Sequence, residues 1–87
     1  MIQAPHVPGQ VLIKLDPESE HYRQAKKSVI DCLPKKADLA RDFNAAGFAI
    51  VTLPLEFDLE EVIRRIEKCD GVEFAEPNYI DEGTTSP

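Results

Sequence analysis

Along this chain the spacing of apolar residues changes between two periods, and each change marks a new element. From residue 9 to 15, Val11, Ile13 and Leu15 alternate with Gln10, Leu12 and Lys14, the period of two of a half-buried strand. Tyr22, Ala25, Val29, Cys32 and Leu33 then recur at helical spacing, which predicts an amphipathic helix up to about Leu33. Asp16, Pro17 and Glu18 offer that helix an N-cap, a first-turn proline and an acidic residue for the positive end of its dipole, and Pro34 stops it. Residues 48–53 are apolar on both faces except at Thr52, as befits a central strand. A second helix is set out by Leu59, Val62, Ile63, Ile66 and Cys69. Asp58 and Glu61 are spaced for a capping box at its start, and Gly71 for a left-handed turn at its end. Glu60 with Arg64 and Glu61 with Arg65 form outward pairs at spacing four. Val72 and Phe74, alternating with Glu73 and Ala75, give a short last strand that Pro77 ends or confines to a sheet edge.

Residues 36–43 carry two readings. Their composition suits a helix, yet Leu39, Arg41 and Phe43 also alternate as in a short edge strand, with residues 44–47 as the turn into the next strand. The strand is the expectation, because residues 48–53 need a neighbour to pair with. The order strand, helix, strand, strand, helix, strand folds most economically as an α+β, ferredoxin-like βαββαβ domain. It is a four-stranded antiparallel sheet with both helices on one face. The other face is then left open, and Leu12, Phe48 and Ile50 would form an apolar patch on it, a common mark of an interface. Shielding by loops or by a homodimer partner is the alternative explanation of that patch.

Composition narrows the function classes. Eighty-seven residues suit one small domain, and 43% hydrophobic with 30% charged residues is a globular rather than a disordered balance. A net charge of −6 argues against nucleic acid, whose binding draws on Lys and Arg at phosphates. No apolar run approaches the roughly 20 residues of a membrane span, so no membrane partner is expected. Residues 1–6 show neither the basic start nor the apolar run of a secretory signal. The chain as written is expected to be cytoplasmic, or extracellular if a leader has been removed. Cys32 and Cys69, with only His6 and His21 besides, assemble no metal site, and no cofactor is expected. Antiparallel helices would put the two cysteines at opposite ends of the helical layer. They are therefore expected to be buried thiols and not a disulfide, which needs Cα atoms within about 7 Å. His21 has Glu18, Ser19, Glu20 and Ser28 for neighbours, but no nucleophile is set against a base and a third orienting group, so the chain is not expected to be an enzyme.

Three segments resemble a known family. The run Gly71-Val72-Glu73-Phe74-Ala75-Glu76-Pro77-Asn78-Tyr79-Ile80 closely resembles the last strand of subtilisin propeptides. Val7-Pro8-Gly9-Gln10-Val11-Leu12-Ile13-Lys14-Leu15 is similar to their first strand, and Phe48 to Leu53 with Pro54 to a central one. Together they bracket nearly the whole chain. The resemblance implies an inhibitor of a subtilisin-like serine protease, monomeric when free, which also assists folding of the enzyme. Residues 1–80 would be the inhibitor domain and 81–87 an extended tail. In the family the open sheet face packs on two protease helices, and the tail lies in the active-site cleft. Glu76 matches a carboxylate held at the N-termini of those helices, while Asn78 stands where the subtilisin propeptide has an acidic residue.

Tyr79, Ile80, Asp81, Glu82, Gly83 and Thr84 would follow Glu76 and Asn78 into contact with the protease, by strand addition. Two registers remain for the tail: Thr84 in the primary specificity pocket with Asp81 four places from the cut, or a shift that seats Ile80 in the apolar subsite and ends at Gly83. Residues 81–87 also read as a polar linker toward a catalytic domain. The two clean helices and compact loops favour a stand-alone inhibitor over an excised propeptide. A ligand- or partner-binding regulatory domain of the same fold is the competing function, with its ligand site on a loop and no effect of removing the tail.

Overall fold

The computed structural model describes residues 5–80. Six elements follow in the expected order: β1 (His6–Leu15), α1 (Tyr22–Cys32), β2 (Asp38–Arg41), β3 (Phe48–Thr52), α2 (Leu59–Glu67) and β4 (Val72–Tyr79). The strands form one antiparallel sheet in the order β2-β3-β1-β4, so β1 pairs on both sides and Pro77 lies on an edge strand, where its missing N–H costs no ladder bond. Residues 36–43 thus supply a strand rather than a helix.

The core lies between one sheet face and both helices. Val11, Ile13 and Leu15 of β1 are fully buried and meet Val51 and Leu53, Ala75 of β4, Val29 of α1, and Val62 and Ile66 of α2. The sheet contributes alternate residues and each helix one stripe, as the two periods demand.

Local chemistry moves three boundaries or phases. The first helix begins at Tyr22, later than the Asp16 cap predicts. Asp16 Oδ1 accepts the Glu18 N–H at 2.9 Å and Ser19 Oγ that of His21 at 3.1 Å, so these side chains bind the backbone in successive turns and delay the helix. At the start of α2 the Asp58 carboxylate accepts from the Glu60 N–H at 3.1 Å, one residue short of the capping-box position, and Glu61 returns no bond among the described residues. In β4 the pairing shifts between Lys14 and Leu15: Leu15 faces Val72 while Lys14 faces Phe74, with Glu73 the extra residue. This bulge separates two residues expected on one face. Val72 packs on the core and Phe74 turns to the open side.

The expectation of two free thiols is overturned. Cys32 and Cys69 form a disulfide, with Cα atoms 6.7 Å apart. Antiparallel helices separate their C-terminal ends only if they run side by side over their full lengths, and here they are short, 11 and 9 residues. Gly71, just beyond α2, reaches Ala25 in the first turns of α1. A Cβ on Gly71 would come within 2.5 Å of the Ala25 Cβ, and its φ of +88° is one that glycine adopts freely. Cys69, two residues before Gly71, lies beside Cys32 at the other end of α1.

The bridge closes a sequence separation of 37 residues, for which chain entropy gives about 3–4 kcal/mol of stabilisation, a large share for so small a domain. Urea unfolding followed by circular dichroism, with and without reductant, should show a loss of about that size, shared by a Cys32→Ala/Cys69→Ala variant. An unchanged midpoint on verified reduction would contradict it.

Candidate functional site: the open sheet face

Among the described residues no helix covers the second face of the sheet, and strand register arranges its side chains in transverse rows. The first row joins β4 to β3 through polar groups: Asn78 Nδ2 donates to Gln10 Oε1 at 2.9 Å, and Gln10 Nε2 donates to Thr52 Oγ1 at 3.3 Å. The middle row, from edge to edge, is Arg41, Ile50, Leu12 and Glu76, set by the pairings Arg41 with Ile50, Ile50 with Leu12, and Leu12 with Glu76. The third row is Phe48, Lys14 and Phe74.

The third row is tied together by its rings and its cation. Phe48 and Phe74 stand edge to face across β1, centroids 6.3 Å apart at 62°. Lys14 Nζ sits 5.5 Å from the Phe48 centroid, donates to the Leu15 carbonyl at 2.9 Å and pairs with Glu73 Oε1 at 3.4 Å. The Lys14 charge is therefore satisfied within the domain. Glu76 and Arg41 are different: neither has an ion pair or hydrogen-bonding side-chain partner among the described residues.

Leu12, Phe48 and Ile50, the apolar residues expected on this face, lie together there, half-buried. With Arg41, Asp42 and Asn44 they line a shallow concavity of about 560 Å³. Asn44 is held by its own loop, its Oδ1 accepting the N–H groups of Ala46 and Phe48 at 2.9 and 3.0 Å. Glu76 and Asn78 point to the same face from the edge strand. Tyr79 and Ile80 are half-exposed where β4 ends. There β1 holds the chain extended: Tyr79 pairs with His6, and the Ile80 N–H donates to the Pro5 carbonyl at 2.9 Å. Asp81, Glu82, Gly83 and Thr84 lie outside the described residues.

Sequence reading missed Phe74 and Arg41 because a bulge precedes each, and strict alternation cannot place a residue beyond a bulge. Lys14 and Gln10 were in phase with Leu12 all along and legible as neighbours of the apolar patch.

No other constellation competes with this face. Among the described residues no three His, Cys, Asp or Glu side chains cluster as metal ligands, and no helix is long and apolar enough to cross a membrane. His21 lies in an open groove with Ser19, Ser28 and Asp70, and the Ser19 hydroxyl oxygen accepts the His21 N–H.

Residues 2–78 match the family model of the Fervidolysin N-terminal prodomain. Among curated proteins, none matches the chain.

The two faces of β3 should respond differently to the same chemistry. Val51→Thr, which buries a hydroxyl in the core, should cost about 2 kcal/mol. Ile50→Thr, on the open face, should cost less than about 1 kcal/mol. Urea denaturation of the two variants measures the difference, and equal losses would mean that the open face is covered in the free protein.

Proposed function

We propose that this chain, which belongs to the family of the Fervidolysin N-terminal prodomain, a subtilase propeptide domain, inhibits a subtilisin-like serine protease and assists its folding. The family implies association with such a protease, and propeptide domains of this kind are typically non-catalytic. The observation that carries the finer reading is the uncovered sheet face: apolar Leu12, Ile50, Phe48 and Phe74 beside a Glu76 that has no ion pair among the described residues, on the strand that leads into the tail.

In this reading the face packs on two helices of the protease. Burying Leu12, Phe48, Ile50 and Phe74 supplies the non-directional part of the affinity. Glu76 supplies direction, because the first N–H groups of a helix lack intrahelical partners and carry partial positive charge. Asn78 is engaged by Gln10, so it contributes through its place in the polar row more than as a cap.

Beyond Ile80 the chain enters the cleft as an added strand, with Tyr79, Ile80, Asp81, Glu82, Gly83 and Thr84 contributing main-chain bonds and alternate side chains. The pairing of Pro5 and His6 with the end of β4 supports this entry, since a strand already held extended loses less freedom on binding. Inhibition follows because the tail occupies the substrate's place. Assistance in folding follows because a surface complementary to the native protease favours that state by mass action. The free domain is read as a monomer. The disulfide favours an oxidising compartment, hence an extracellular setting.

Steady-state inhibition of purified subtilisins by this chain, and by a version ending at Ile80, tests the proposal. Inhibition should be tight and largely lost on truncation, and mass spectrometry of the tail should locate any cut. Glu76→Ala should weaken binding by about tenfold with the fold intact. A folded chain that inhibits none of several subtilisins would move the function to a regulatory binding domain.

A further inference from the structure

We infer that Arg41 is a second charged anchor of the open face, one that selects a protease carrying a carboxylate opposite it. The inference rests on the proposed protease-binding role and adds to it a determinant of which protease is bound. Its basis is the bulge in β2. Asp38 pairs with Thr52 and Leu39 with Val51, so unbroken alternation would place Ala40 opposite Ile50 and Arg41 opposite Ala49, toward the helical layer. Instead the register shifts after Leu39, and Arg41 itself faces Ile50. The extra residue turns the guanidinium onto the open face, into the row of Ile50, Leu12 and Glu76.

Among the described residues nothing uses that charge. The other cation of the face, Lys14, is paired with Glu73 and lies against the Phe48 ring. Arg41 is exposed and forms no ion pair among the described residues, although Asp38 and Asp42 belong to the same stretch of chain. Asp42 gives its Oδ1 to the Phe43 N–H at 2.7 Å. Arg41 also borders the concavity lined by Leu12, Phe48 and Ile50, where a docked surface would exclude water and strengthen any pairing.

The middle row therefore presents an anion at one edge and a cation at the other, with two apolar residues between. Three strand spacings separate the edges, about 14 Å. Glu76 seeks helix N-termini. Arg41, whose planar fork suits a carboxylate, seeks an Asp or Glu side chain at that distance from them. In a chain of net charge −6 such a cation also relieves repulsion at an acidic patch of the partner.

The test is inhibition of purified subtilisins by the full chain and by Arg41→Gln and Arg41→Glu, at low and high ionic strength, with circular dichroism to confirm folding. For a protease with the facing carboxylate, Arg41→Gln should raise the inhibition constant about three- to fivefold and Arg41→Glu about tenfold or more at low salt. Both effects should shrink at high salt, and replacing the protease carboxylate by Lys should restore binding of Arg41→Glu. Tight inhibition by the parent chain with unchanged constants for both variants would overturn this inference and leave the protease role standing. A parent chain that inhibits nothing would overturn both.

Discussion

The register of β1 is the constraint on which the rest of the domain depends. This strand pairs with β3 on one side and β4 on the other, and from residue 10 to 15 its alternate residues divide between two faces. Val11, Ile13 and Leu15 are fully buried against the helices, while Gln10, Leu12 and Lys14 head the three rows of the open face. A slip of one residue would send Lys14 into the core and Ile13 into solvent, so burial fixes the register strongly. The same alternation that builds the core thus builds the candidate binding face.

How far this could be read in advance depended on where alternation is unbroken. Residues 11–15 keep a readable period and residues 48–53 an apolar run fit for a central strand, and from these the strands and the patch of Leu12, Phe48 and Ile50 follow. The stripe from Leu59 to Cys69 placed the second helix equally well, because a helical period is long enough to average out local exceptions. The choice of strand for residues 36–43 rested on the family resemblance and on the pairing needs of β3, a tertiary argument that overrode the helix-friendly composition of the segment.

What escaped the sequence has local physical causes. A bulge changes phase through one extra residue with no distinctive side chain, and Glu73 and Ala40 give no warning of it. Phe74 and Arg41 were therefore assigned no face. The disulfide was missed because topology sets helix direction but not how two short helices pack, and their packing brings Cys69 to Cys32. Asp16 and Ser19 look like capping residues and do cap backbone N–H groups, but in turns that precede the helix.

Membership of a subtilase prodomain family and an uncovered apolar sheet face converge on one arrangement. The helical layer, stapled by its disulfide, supports the sheet from behind and stays in solvent, with Ile30 of α1 exposed at 46%. In the proposed complex the sheet is the face that meets the protease. The most direct test is the amide and methyl NMR spectrum of the isotope-labelled chain, recorded with and without an active-site-blocked subtilisin. The account predicts changes concentrated at Leu12, Ile50, Glu76 and the aromatic residues Phe48 and Phe74, with Ile30 and the outer surfaces of α1 and α2 unaffected. Changes confined to the helical layer, with the open face unperturbed, would contradict it.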